Sequence, residues 1–226
     1  MREYLICVGG TWREGRAGTM TAVSPASGAA FASVAVASPA DVDDAVAAAG
    51  AAGPAWAALS AFERATCCRA VAAAIDGRAG ELARALTEDQ GKPLAAEARD
   101  EVAELAEYFR MAAEDAIRLP GGAPPSTSAA RRVLTLRVPL GVVGVISPWN
   151  WPYTMGAELF APAMAAGNAV IWVPAPTTSA CCALLAEIIT GAGVPAGVFS
   201  FLPGPGPVVG DAVATEPMKP TACTPG

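Results

Sequence analysis

Three short segments carry residues that could do chemistry, and each follows an apolar run. In the first, Ile146-Ser147-Pro148-Trp149-Asn150-Trp151-Pro152, a strand-like stretch passes directly into a turn holding two tryptophans and an amide. Ligands of open parallel sheets sit outside the carboxyl ends of the strands, so a cofactor or substrate would be met at such a turn. A proline-rich turn with its tryptophans packed in the core fits the same residues. The second segment, Ile171-Trp172-Val173-Pro174-Ala175-Pro176, is another apolar run breaking into prolines. The third, Leu202-Pro203-Gly204-Pro205-Gly206-Pro207-Val208-Val209-Gly210, is a glycine-rich turn between a strand and a helix. Glycines there would let backbone amides approach a phosphate at a helix N-terminus. The spacing is G-x-G-x-x-x-G rather than G-x-G-x-x-G, and a purely structural turn suits it equally.

Other chemistry is excluded by composition. No histidine is present, which removes a histidine general base, a Ser-His-Asp triad and imidazole metal sites. The six cysteines are Cys7, the adjacent pairs Cys67–Cys68 and Cys181–Cys182, and Cys223. Neither pair has C-x-x-C spacing, so small buried helix residues are expected and no metal site is. With nothing like a signal peptide at the start, the expected location is the reducing cytoplasm. A net charge of −6 and only two lysines, Lys92 and Lys219, argue against a nucleic-acid partner.

At 53% hydrophobic and 16% charged, the chain is apolar for a soluble protein. Between Arg137 and Asp211 the only charged residues are Glu158 and Glu187. Pro162, Gly167, Asn168, Pro174 and Pro176 interrupt every window long enough to span a bilayer, so no membrane segment is expected. Short apolar runs split by turns are what a buried parallel sheet requires.

The elements that must position these segments follow from periodicity and capping. Tyr4–Val8, Thr19–Val23 and Phe31–Val36 read as a small antiparallel unit. Ser38-Pro39-Ala40-Asp41 starts a helix, with Ser as N-cap, Pro in the first position and an acid in the first turn. Further helices are predicted over Phe62–Ile75, Ala79–Glu88 and Ala95–Ile117. In the last, Val102, Leu105, Phe109 and Ala113 line one face. Leu119–Ser128, rich in Gly, Pro and Ser, is a connector. Beyond it strands at Val133–Val138, Val142–Ser147, Ala169–Val173 and Val198–Leu202 alternate with helices at Tyr153–Ala166, Thr178–Gly191 and Pro207–Thr215. That alternation implies right-handed βαβ units in a parallel sheet.

The run Pro139-Leu-Gly-Val-Val-Gly-Val-Ile-Ser-Pro-Trp-Asn-Trp-Pro152, followed by Ala161-Pro-Ala-Met-Ala-Ala-Gly-Asn-Ala-Val170, resembles the signature core of the aldehyde dehydrogenase superfamily. The likeness extends through Gly9-Gly-Thr-Trp12, Ser24-Pro-Ala-Ser-Gly28, Asp41 to Trp56, Gly91-Lys-Pro-Leu94 and Gly193 to Gly210. It implies an α/β fold, incomplete relative to the family: a small N-terminal β unit and helical layer in 1–118, a connector in 119–132, a partial dinucleotide-binding βαβ region in 133–217 and an atypical tail in 218–226.

By the same resemblance Asn150 donates its side-chain amide to the oxyanion formed when an aldehyde carbonyl is attacked. Ile146, Ser147, Pro148 and Trp149 would lie beside the nicotinamide ribose. Val173, Pro174, Ala175 and Pro176 would hold the adenosine ribose, and the turn with Gly206 and Gly210 would pass the adenine. NAD or NADP is the implied cofactor. Many members have lysine and glutamate where this chain has Val173 and Pro176, so weak or absent binding is expected, with only backbone groups of Val173 and Ala175 to contribute. The family's Phe-Thr-Gly-Ser turn, its water-activating glutamate and its Gly-Gln-x-Cys nucleophile have no counterpart here. The expectation is therefore a chain cut before its catalytic domain and inactive alone, from a frameshifted, split or degenerate gene or as a short product. Implied partners are an aldehyde substrate and further copies of this or another aldehyde dehydrogenase chain. The alternative is a non-catalytic module that binds a dinucleotide or a subunit.

Overall fold

In the computed structural model, which describes residues 1–216, the first apolar run serves two sheets rather than one. Strand β1 (Arg2–Tyr4) pairs in parallel with β5 (Ala30–Ala35), which pairs antiparallel with β4 (Thr19–Val23). Strand β2 (Ile6–Val8) leaves that group, forms a hairpin with β3 (Thr11–Arg13), and joins a second sheet where Cys7 faces Phe201. The single antiparallel unit expected for Tyr4–Val36 is thus corrected. Ile6, Cys7 and Val8 are all buried, and consecutive strand residues point to opposite faces. Such a strand must lie inside a sheet covered on both sides.

Helix α1 (Pro39–Ala58) begins where the capping residues demand it. The Ser38 hydroxyl accepts the Asp41 N–H at 3.3 Å, and the Asp41 carboxylate accepts the Ser38 N–H at 2.8 Å. The same reciprocal pair, Ser60 with Glu63, opens α2 (Ala61–Gly77). Helix α3 (Ala79–Gln90) ends at Gly91, whose φ of 85° is the left-handed conformation of a helix C-terminus. A wide π turn, Leu94–Ala98, leads into α4 (Arg99–Ala116). Val102, Leu105, Phe109 and Ala113 are buried along α4 as their spacing predicts, but Glu101 is buried beside them.

The strand expected over Val133–Val138 does not form. The segment's one pairing is a bridge from Thr135 to Gly122, and Leu134, Leu136, Val138 and Leu140 stand 61–76% exposed. Its alternating pattern is real, but no neighbouring strand among the described residues receives its backbone.

From Val142 onward the alternation holds. Strands β6 (Val142–Ile146), β7 (Ala169–Val173) and β8 (Phe199–Phe201) run parallel. They alternate with α5 (Thr154–Ala165) and α6 (Ser179–Gly191), and after β8 a π turn, Gly206–Gly210, leads into α7 (Asp211–Thr215). The order β3-β2-β8-β7-β6 places β7 inside and makes the sheet mixed rather than purely parallel. Val170 and Trp172 enter the core shared with α2, α4, α5 and α6, whereas Ala169, Ile171 and Val173 enter the one shared with α1. The first core centres on rings packed at steep angles to one another: Phe160 lies 5.9, 5.1 and 5.5 Å from Phe109, Trp172 and Phe199. Burying Phe160 fully contributes roughly 3 kcal/mol relative to leaving it in water. No single helix among the described residues is long and apolar enough to cross a membrane.

Candidate active site at the strand ends

Parallel pairing brings the three predicted segments to one edge of the sheet. Ile146 faces Val173 and Trp172 faces Phe201 across adjacent strands. Beyond the strands, the Ser147 N–H donates to Val173 O at 3.1 Å and the Leu202 N–H to Trp172 O at 2.9 Å. Residues 146–150, 173–176 and 202–210 therefore emerge side by side.

Their side chains are not equivalent. Trp149 and Trp151 are 60% and 37% exposed, so these tryptophans do not fill the core. Ile146 (51%) and Val208 (43%) are also exposed, as are Pro148, Asn150, Pro176 and Gly206. Ser147 is buried and its hydroxyl accepts the Trp172 indole N–H at 2.9 Å, so this side chain is occupied within the protein. Val173 and Pro174 are buried too. The Val173 carbonyl already accepts Ser147, and the Ala175 carbonyl accepts the Thr178 N–H at 3.1 Å and the Ser179 hydroxyl at 3.0 Å. The Val173 and Ala175 carbonyls thus each already accept a donor from the protein.

The glycines of the third segment have different surroundings. At Gly204 an added Cβ would stand 2.5 Å from Val209 Cγ2, so packing requires that glycine. At Gly206 it would meet nothing within 4 Å, and at Gly210 it would meet Ile146 Cδ1 at 3.7 Å, which makes Gly210 and Ile146 neighbours. The turn opens as a π turn that runs without a break into α7, so residues 206–215 form one helical stretch whose first residues lie at the strand ends.

The Asn150 turn is gripped from behind. Gln90 Nε2 donates to Trp149 O at 3.1 Å and Asn150 O at 3.0 Å. Lys92 Nζ also donates to Asn150 O at 3.0 Å, meets Glu101 Oε2 at 2.5 Å, and lies 3.8 Å above the Trp151 ring. Glu101 Oε1 accepts the Tyr153 and Thr154 N–H groups at 3.0 and 3.4 Å. None of the hydrogen bonds among the described residues uses the Asn150 side chain. The motif reading named Lys92 only as part of a likeness and missed Gln90 and Glu101. One signal was available for Glu101: it sits four residues before Leu105, on the apolar stripe of α4.

Beneath the turn, Asp89 borders a cavity of about 350 Å³ together with Gln90, Trp149 and Pro176. Burial raises its carboxyl to about 6, against the lowering effect of the Cys181 N–H, which it accepts at 2.8 Å. On the other side, a cavity of about 250 Å³ is lined by Glu104, Tyr108, Trp151, Thr154, Met155 and Glu158.

Burial pushes the thiols away from reactivity, Cys7 to about 11 and Cys68 to about 12, with Cys67, Cys181 and Cys182 also raised. A thiol so shifted is protonated at neutral pH and a poor nucleophile. Cys223 lies outside the described residues, as does the segment read as an atypical tail.

An open α/β sheet with its loops gathered at the carboxyl ends of parallel strands is the architecture of nucleotide-binding proteins. The chain belongs to the aldehyde dehydrogenase family, whose model matches residues 12–220. It is 38% identical over 163 residues to the NADP(+) succinate-semialdehyde dehydrogenase of Escherichia coli (strain K12), covering 72% of this chain and 34% of that one. It is 40% identical over 159 residues to the alpha-ketoglutaric semialdehyde dehydrogenase of Bacillus subtilis (strain 168), covering 70% and 32%. The chain thus spans about a third of the length of these curated relatives. Among solved structures, an aldehyde dehydrogenase from Brucella melitensis biovar abortus 2308 superposes with a TM-score of 0.93 at 34% identity, over 96% of this chain and 45% of that one. PnpE in complex with nicotinamide adenine dinucleotide superposes with a TM-score of 0.92 at 34% identity, over 96% and 44%.

Proposed function

We propose that this chain supplies the oxyanion donor and part of the cofactor surface of an NAD(P)-dependent aldehyde dehydrogenase. The observation that carries the reading is Asn150: its backbone is held by Gln90 and Lys92 at the carboxyl end of β6, while its side-chain amide is exposed and unbonded among the described residues. As negative charge builds on an aldehyde oxygen, a fixed N–H donor there stabilises the transition state by roughly 3 kcal/mol. NAD(P)+ would be held at this edge by residues 146–149, 173–176 and 206–210, and when bound it would supply the hydride acceptor for aldehyde oxidation. Exposed Ile146, Trp149 and Val208 and the open space at Gly206 fit the flat rings of such a cofactor. Side chains at Val173 and Pro176 offer the ribose hydroxyls no hydrogen bond, which supports weak binding. Of the described cysteines four are buried and Cys67 is half-buried, and burial raises every one of these thiols, so we further propose that the 226 residues alone turn over no aldehyde. Association with another copy or another aldehyde dehydrogenase chain is supported by the exposed stretch Leu134–Leu140 and by β6, which pairs only with β7 among the described residues.

The test is a chimera in which residues 12–215 replace the matching region of the Escherichia coli relative. Succinate semialdehyde oxidation by the chimera should fall about 100- to 1000-fold on Asn150→Ala. Turnover unchanged by that substitution would remove Asn150 from the chemistry.

A further inference from the structure

The turn that carries Asn150 has little structure of its own. Residues 147–153 lie between β6 and α5 and belong to neither. We propose that Gln90, Lys92 and Glu101 form a clamp that positions Asn150, a role that rests on reading Asn150 as an oxyanion donor.

Two members of the clamp, Gln90 and Lys92, come from one place in the chain, the C-terminal end of α3. The left-handed Gly91 lets Gln90, still in the helix, and Lys92, just past it, both reach the turn. Their donors converge on the Asn150 carbonyl, each at 3.0 Å. Glu101 completes the arrangement from α4. Helix α5 has no side-chain cap of its own, and the first amides of a helix need acceptors. Glu101 Oε1 serves as that acceptor for Tyr153 and Thr154 from a separate helix, and its negative charge suits the positive end of α5. The other Glu101 oxygen holds Lys92. A single carboxylate therefore couples the end of the turn to the lysine that fixes its middle.

Stability alone gives no reason for this design. The Lys92 and Glu101 side chains are 4% and 0% exposed, and a buried ion pair is often matched or bettered by apolar residues of similar volume. Apolar residues could not, however, aim a donor at a carbonyl and an acceptor at two amides. What the pair achieves is a fixed backbone at 150–154. An oxyanion donor works only if it is oriented before charge develops, so its backbone must not move.

The experiment is backbone amide hydrogen exchange on the purified chain, resolved by segment. Lys92→Met should raise exchange at the Tyr153 and Thr154 amides, the ones that Glu101 accepts, roughly tenfold or more, because hydrogen bonds to a charged group are weakened when its partner is lost. Exchange in β7 and α6 should stay unchanged. Lys92→Arg, which keeps charge and donors, should restore most of the protection. Gln90→Ala leaves the buried pair intact and should give a smaller rise in the same segment, so it decides the matter if Lys92→Met does not fold. Asn150→Ala should change nothing here, since the clamp holds backbone; the oxyanion reading is judged separately by chimera turnover. Unchanged exchange at the Tyr153 and Thr154 amides in Gln90→Ala, or an equal rise in β7 and α6 for every variant, would overturn the clamp.

Discussion

Replacing Asp89 with asparagine should make the protein relatively more stable at neutral pH than at acid pH. Asp89 is 6% exposed, and burial raises its carboxyl from 3.8 to about 6. The folded state therefore binds a proton more tightly than the unfolded chain, and stability falls as pH rises through that window. A shift of about 2 units at 1.36 kcal/mol per unit corresponds to roughly 3 kcal/mol, lost mostly between pH 4 and 6. Asparagine keeps an oxygen for the Cys181 N–H and has no charge to bury. Asp41 does not interfere. Burial acts to raise it, but bonds from the Ser38 and Arg16 N–H groups and from Arg13 outweigh that and hold it at about 2. Its contribution is complete above about 4 and is lost only at lower pH. The assay is urea unfolding followed by tryptophan fluorescence at pH 4, 5, 6 and 7, each extrapolated to water. The variant's stability minus that of the parent should grow by up to about 3 kcal/mol between pH 4 and 7. A flat difference, or one that shrinks, would refute a buried ionised Asp89.

Gly156→Ala places a Cβ 2.8 Å from Phe160 Cε1 and 3.2 Å from the Trp172 ring, both locked in the aromatic core. The overpacking cost of about 1–3 kcal/mol should outweigh the roughly 1 kcal/mol gained in helix propensity, so urea melts should show net destabilisation. Leu134→Asn combined with Leu136→Asn should shift the purified chain toward monomer in size-exclusion chromatography with light scattering; an unchanged mass would place association elsewhere.

Capping and burial patterns were the most legible features. Ser38 with Asp41 marks the start of α1, and the wholly apolar Ala169–Val173 is a strand buried on both faces. Local chemistry sets both. The strand ends were legible for the same reason, since Pro148, Pro174 and Pro203 each break an apolar run. Partnership was not. The alternation at Val133–Val138 is indistinguishable from a paired strand, and the pairing of Cys7 with Phe201 joins residues that no local pattern relates. Glu101 shows the limit most clearly. Its place on the apolar stripe of α4 signals burial, but its partners Lys92, Tyr153 and Thr154 come from other elements and become visible only in the fold.

The central claim, that the strand ends carrying Asn150 form a dinucleotide-binding edge, is tested most directly by titrating the ¹⁵N-labelled chain with NAD+ and following its amide spectrum. The account predicts shifts confined to residues 146–150, 173–178 and 204–210, saturating with a Kd above about 1 mM, equivalent to no more than about 4 kcal/mol. Shifts elsewhere, or none at saturating NAD+, would contradict the site, and a micromolar Kd would contradict the weak cradle inferred from Val173 and Pro176.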